Sequence, residues 1–546
     1  YFQKRADTPT GAAYDFQTGK DIGRYYVADN VGVSDNNTTN YKTQLNGRLQ
    51  YETTIAQNHN IGAMFVYSEE YWHTRSTGAS RNDRIHPSTS EINSALTNVQ
   101  SNSGSSASEG LRSYIGRMNY SAYDKYLLEF SFRVDGSSKF IKGHQYGFFP
   151  TVAVGWRFTE EEFLKKYLSS WLSSGKLRAS WGKLGDNSGV GRFEQLETLT
   201  AMNYMSSDVV KGFVNKKMIN KDLSWEVSTD INVGLDLGFL NNRLRTEIDF
   251  YNRLRTGMNR PSQMSIHLTG AYSAPRANIG DLLNRGLELN LTWKDKIGNV
   301  EYSVNLNGAY NRTVLKEWNE FLSRGWVYLD MPYHFLYVYE NNGIAQTWQD
   351  IYNNTPQGLS PGDVIRKDLN GDGIIDGKDK KAYPNIQRDR PTTTYGITLQ
   401  AAWKGFDISM LFNGGLGRKD FWLTDFNNTA FADRRYASTW DHWTEPWSLE
   451  NRGGEWPRLG TSTDRSDNSY WLYNMNYLRM KNIMLGYNLP KKLLSKISMT
   501  NLRIYASAEN LFTVTQYPGL DPEKKNSARD LYPINRSFSI GLNVSF

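Results

Sequence analysis

From Lys125 to Asp135 the chain reads Lys-Tyr-Leu-Leu-Glu-Phe-Ser-Phe-Arg-Val-Asp. Tyr126, Leu128, Phe130, Phe132 and Val134 fall on one side, and the other side is almost wholly polar. A period of two with unlike faces marks an extended strand lying between two different media. The pattern returns in Ile231–Phe239, in Leu244–Phe250 with Arg245, Glu247 and Asp249 opposite, in Leu287–Trp293 and in Tyr302–Asn307. Further copies run over Val152–Phe158, Leu177–Trp181, Tyr395–Trp403, Phe406–Phe412 and Leu502–Ala508. The count predicts roughly fifteen strands, several of about the 9–11 residues that a tilted strand needs to cross a hydrocarbon layer. The chain closes on the same alternation, Phe538, Ile540, Leu542, Val544 and Phe546 against Ser, Gly and Asn.

A soluble β-sandwich also alternates, but here the polar face of one strand carries Arg243, Arg245, Glu247 and Asp249 while the apolar face is rich in aromatic rings. A water-filled or plugged lumen inside a transmembrane antiparallel β-barrel accounts for that combination. Mean hydropathy is −0.62, and no apolar run approaches the roughly 20 residues of a spanning helix. The barrel reading survives this because inward and outward residues cancel in the average. Connections alternate in length: Leu240–Arg243 and Trp403–Phe406 are short, whereas residues 74–110, 186–220, 316–390 and 413–470 are long and polar. Short turns on one side and long loops on the other predict that the long ones are extracellular. Ser101–Ser108 reads as a loop tip.

Composition adds three restrictions. Aromatic residues make up 14% of the chain, with 34 Tyr and 16 Trp, which suits interfacial girdles. Cysteine is absent, so there is neither a disulfide framework nor a thiolate metal site. The net charge of +7 is spread without a basic block, and no nucleic-acid partner is expected. The chain begins at Tyr1 without a leader-type segment, so a start further upstream is expected.

Several motifs resemble those of the SusC/RagA family of TonB-dependent transporters. They are Arg133-Val134-Asp135-Gly136-Ser137-Ser138-Lys139-Phe140, Gly147-Phe148-Phe149-Pro150, Gly155-Trp156-Arg157, Leu177–Gly182, Asn278-Ile279-Gly280 with Asn284–Glu288, Glu509–Phe512 and Tyr517–Glu523. The resemblance implies the C-terminal portion, residues 1–546, of a 22-stranded plugged barrel in the outer membrane, with the plug and the first six or so strands outside this chain. It implies further a TonB contact made by the missing N-terminal region, a SusD-like surface lipoprotein over the mouth, and active import of an oligosaccharide or a peptide. A passive porin is the competing class, distinguished by needing neither plug nor TonB.

One loop carries metal-binding chemistry. In Asp368–Asp379, Asp368, Asn370, Asp372, Asp376 and Asp379 place oxygens at positions 1, 3, 5, 9 and 12, with Gly373 at the turn and Ile374 offering a carbonyl. This is calcium-loop spacing. Asp at position 12 brings it nearer to a dockerin-type loop than to an EF-hand, and calcium is the expected cofactor. Trp440, Trp443 and Trp447 lie in one long connection with Trp456 and Trp471. Their rings suit either stacking on a sugar or packing of the loop against itself or a lid. For catalysis, there is no Gly-x-Ser-x-Gly or His-Glu-x-x-His segment, and Asp230, Asp236, Glu247 and Asp249 are expected to line a lumen rather than cleave a glycoside. The expectation is a transporter and not an enzyme.

Overall fold

The fold was described from a computed structural model of the chain. It describes all residues except 1–10, 16–19, 26–31, 83–89, 96–99, 169, 206–208, 216, 264–273, 321–327, 333–334, 422–445, 459–467, 495–498 and 525–533. One antiparallel sheet of fifteen strands dominates. In chain order these are β1 (Val33–Ile55), β2 (His59–Arg81), β3 (Gln100–Ala122), β4 (Tyr126–Ser137), β5 (Tyr146–Trp156), β6 (Leu172–Asp186), β7 (Glu226–Phe239) and β8 (Leu244–Thr256). They continue as β9 (Asp281–Ile297), β10 (Val300–Glu317), β11 (Thr393–Trp403), β12 (Phe406–Leu416), β13 (Tyr477–Asn488), β14 (Asn501–Thr515) and β15 (Ser537–Ser545). Every strand pairs with its neighbour in this order, a simple meander. Each connection is therefore a hairpin, which satisfies the backbone groups of the thirteen inner strands locally and leaves only the outer edges of β1 and β15 to be paired.

The turns at one end are tight. Ala56 and Gln57, Tyr123 and Asp124, Leu240 to Asn242, and Lys404 all take positive φ there, as does Gly405. The β5–β6 turn holds a short helix, Glu162–Leu168. The other end carries the long connections, the end that the usual asymmetry of such barrels leads one to expect on the extracellular side.

Two expected boundaries change. The predicted loop 74–110 is mostly strand: β2 runs to Arg81 and β3 starts at Gln100, so Ser101–Ser108 pairs along β2 instead of forming a loop tip. Tyr71 donates to Ser108 Oγ at 2.9 Å and the Ser80 and Ser101 hydroxyls meet at 2.7 Å. The alternation was invisible because this part of the ladder is polar on both faces. At about 3.3 Å per residue and a tilt near 40°, a 23-residue strand rises about 58 Å, roughly twice the hydrocarbon thickness. β1 to β3 therefore extend well beyond the membrane. The other long connections are 187–225, 318–392 and 417–476, close to the expected ranges.

Facing residues follow one parity around the wall. Val233, Phe250, Leu287 and Tyr310 align across four strands on the outward face, each 43–50% exposed. Rings fold over glycines directly opposite: Tyr251 over Gly286, Tyr395 over Gly414 and Tyr505 over Gly541. A Cβ on Gly286 would stand 2.3 Å from the Tyr251 ring. Gly286→Val should thus expel the ring and destabilise the barrel by about 1–3 kcal/mol. The readout is the temperature at which the full-length protein loses its folded mobility on a gel, and an unchanged temperature would refute the dependence.

Candidate functional site

The inner face of the wall is a ladder of arginines and carboxylates. Arg117 pairs with Glu129 at 2.6 Å, Arg253 with Asp230 at 2.7 Å, and Arg503 with Asp407 at 2.5 Å. Arg178 bridges Asp236 at 2.7 Å and Asp249 at 2.9 Å, and Arg255 joins Asp186 at 2.8 Å and Glu226. Cross-strand register creates these pairs, because Asp236, Glu247 and Asn290 share one rung and Gly234, Asp249 and Glu288 the next. Of the four carboxylates weighed for catalysis, Asp230, Asp236 and Asp249 are thus each committed to an arginine, and Glu247 accepts from Asn290. Towards the tight-turn end, a cavity of about 870 Å³ lies against this face, bordered by Glu52, Arg117, Glu129, Lys176 and Arg178.

At the end that carries the long connections, three of them interlock. Strand Phe335–Tyr339 pairs with Lys380–Gln387, and Lys419–Phe421 with Leu472–Asn474. Leu336, Val338, Phe421, Trp471, Met475 and Tyr517 form one buried apolar cluster between them. Beside it lie two arginines that hydropathy reading passed over, Arg479 (1% exposed) and Arg418 (2% exposed). Arg479 binds Asp521 at 2.9 Å, Glu523 at 2.7 Å and Thr513 Oγ1 at 2.9 Å. Arg418 donates to the carbonyls of Arg388 at 3.0 Å, Pro522 at 3.1 Å, Glu523 at 3.0 Å and Lys524 at 3.2 Å. Burial alone would raise the Glu523 carboxyl, but hydrogen bonds from Tyr477 and Asn413 and the Arg479 charge hold it below its ordinary range. The motif Tyr517–Glu523 is therefore a clasp that ties the β14–β15 connection to β13.

Trp447 is buried (7% exposed), donates from Nε1 to Gln346 Oε1 at 2.9 Å and lies against Gly362. Trp456 and Trp471 stack at 6.4 Å. Trp440 and Trp443 lie outside the described residues.

The loop 368–379 is wound by its own side chains. Asp368 accepts from the Gly371 and Gly373 N–H groups at 2.6 and 2.9 Å, Asn370 from Asp372, and Asp372 from Ile374, both at 2.9 Å. Asp379 is fully buried and closes the loop, accepting from Leu369 and Asp376 at 2.9 Å. The Asp376 N–H, aided by those of Leu369 and Asn370, holds the Asp379 carboxyl below its ordinary range against the effect of burial. Gly371 and Gly373 take φ of 73° and 79°, where a side chain would be strained. Lys378 approaches Asp372 and Asp376 at 3.8 Å. The donor set, four carboxylates with an amide and a carbonyl, fits a hard divalent cation. Among the described residues no three acidic or imidazole groups are already drawn together around a point.

A meander wall with an apolar exterior, a charged interior and long connections at one end defines an outer-membrane β-barrel. The family model described as "TonB dependent receptor-like, beta-barrel" matches residues 2–511, and the chain belongs to that family and to the outer membrane. It is 30% identical to TonB-dependent receptor P3 of Formosa agariphila, covering 80% of this chain and 45% of that protein. It is also 30% identical to TonB-dependent receptor SusC of Bacteroides thetaiotaomicron, over 80% of this chain and 44% of SusC. The chain thus spans about half the length of the curated relatives it matches. The solved RagAB peptide transporter superposes with a TM-score of 0.79 at 22% identity, covering 94% of this chain and 56% of that one. The SusC/RagA resemblance seen in the motifs is thereby confirmed.

Arg479→Ala leaves Asp521 and Glu523 without their cation, and loss of one partner from a buried pair costs about 3–5 kcal/mol. Limited proteolysis of the full-length protein should then show new cleavage within 516–536 while the wall stays intact. Wild-type protection in that variant would show that the clasp is not what holds the connection.

Proposed function

We propose that this chain supplies wall and extracellular connections to an active nutrient importer of the SusC type. An oligosaccharide or peptide crosses the outer membrane through it, TonB energises the step through sequence outside this chain, and a SusD-like lipoprotein covers the mouth. The observation carrying this reading is the interlocked extracellular body around Arg418, Arg479 and the apolar cluster. Such a body offers a built surface to a lid, whereas a diffusion pore requires only free loops. The names of the relatives support the same class. Unpaired edges at β1 and β15 would cost several kcal/mol per group in lipid, so closure by strands outside this chain is part of the proposal. Catalysis is not, because the four inner-face carboxylates weighed for it, Asp230, Asp236, Glu247 and Asp249, are engaged by arginines or an amide.

Deletion of the gene in its host should abolish growth on one class of oligosaccharide or peptide, and collapsing the inner-membrane proton gradient should stop uptake of the labelled nutrient. Uptake that persists without the gradient, together with a steady open pore in planar bilayers, would make the protein a passive channel.

We propose also that Asp368, Asn370, Asp372, Asp376 and Asp379, with the Ile374 carbonyl, hold one calcium ion that staples the loop. Calorimetry of chelator-stripped full-length protein should give saturable binding in about the 10⁻⁴–10⁻³ M range of extracellular modules, lost in Asp368→Asn/Asp372→Asn. No heat at millimolar calcium would remove the proposal. Without calcium, Asp379 is the buried member of the set of side chains that wind the turn. Its folded pKa is lowered, so its contribution is complete above the unfolded value of about 3.9 and is lost as pH falls through the folded value. Nicking of the metal-free loop by an acid protease should accordingly appear only in that acid window.

A further inference from the structure

On the outward face of the wall, Arg285 of β9 and Arg312 of β10 stand directly opposite each other. Like charges on one rung are destabilising, and every arginine named on the inner ladder has a carboxylate instead. Here Arg285 Nε donates to Asn252 Oδ1 at 2.7 Å, while Arg312 Nε is buried without a hydrogen-bond partner. The acid nearest in this group, Asp330, is taken by Lys316. Among the described ion pairs neither arginine has an anion.

A cavity of about 470 Å³ opens at this rung. Arg285, Arg312, Lys316 and Asp330 border it above, and Phe250, Leu287 and Tyr310, half exposed, border it below. Height follows from the strand. Tyr302 and Tyr310 are outward residues eight positions apart on β10, about 21 Å of rise at 3.4 Å per residue and a 40° tilt, against an apolar band about 25 Å tall. Arg312 is the next outward residue above Tyr310. The two guanidiniums therefore sit at the headgroup level of the extracellular leaflet, directly over apolar wall.

We propose that Arg285 and Arg312, assisted by Lys316, bind the phosphate of an acylated, phosphorylated glycolipid of the outer leaflet, with its chains laid over Phe250, Leu287 and Tyr310. A phosphate between two guanidinium forks turns a repulsive rung into two charge-assisted hydrogen-bonded pairs and gives the buried Arg312 Nε an acceptor. The inference rests on the membrane location and not on the import reading.

Native mass spectrometry of the delipidated full-length protein tests it, with a phosphorylated lipid A, the same lipid dephosphorylated, and inorganic phosphate as probes. The phosphorylated lipid should give a one-to-one adduct that survives detergent exchange, bound at least about tenfold more tightly than the dephosphorylated form, a factor in keeping with charged hydrogen bonds. Arg285→Gln/Arg312→Gln should abolish that preference. In lipid-free neutral detergent the same variant should melt no lower than wild type, since a repulsion has been removed. Equal binding of the two lipids, an unchanged preference in the variant, or saturation by inorganic phosphate alone would each overturn the proposal. Were the double variant not to fold, the comparison of the two lipids on wild type decides the question by itself.

Discussion

An unpaired backbone N–H or C=O inside hydrocarbon has nothing to bond to, and the architecture of this chain is the consequence of that one prohibition. It forces the wall into a meander in which each strand finds its partner in the next segment of sequence. It also divides every strand between two media, so the side-chain period of two becomes a division between lipid and lumen. Polar content is then free to be high, provided that it all points one way. The inner ladder of Arg178, Arg253, Arg255 and Arg503 with their carboxylates is the product of that freedom.

Above the membrane the prohibition lapses and ordinary packing takes over. The long connections form short strands of their own, an apolar cluster and two fully buried arginines. Removing charge from water is costly unless it is paired and hydrogen-bonded, and each guanidinium nitrogen of Arg418 and Arg479 has an acceptor, most of them carbonyls and carboxylates of the β14–β15 connection. Such pairing contributes more to uniqueness of arrangement than to net stability. It fixes which connection lies against which, the property a surface needs if a partner is to recognise it.

The wall was legible because alternation is a local property: Tyr126 to Val134 and Phe538 to Val544 declare their faces without reference to anything else. The polar upper halves of β1 to β3 were not, since a strand with water on both sides has no period to read, and Ser101–Ser108 reads as a loop from sequence on that account. The Asx turns of 368–379 follow from the spacing of its Asp, Asn and Gly residues and form without a metal. The clasp was half visible. Tyr517–Glu523 stood out as a motif, but Asp521 and Glu523 acquire a role only when tertiary folding brings Arg479 more than 40 positions back in sequence against them. The Arg285–Arg312 rung was hidden for a related reason, because strand register and not sequence separation makes them neighbours.

The meander also carries an arithmetic consequence. With fifteen strands alternating in direction, β1 and β15 both descend from the extracellular side, so they point the same way. Joining them directly would require a parallel seam in an otherwise antiparallel cylinder. Any closure that keeps the antiparallel rule must insert an odd number of strands between them, so whatever completes the cylinder has a parity already set by these residues.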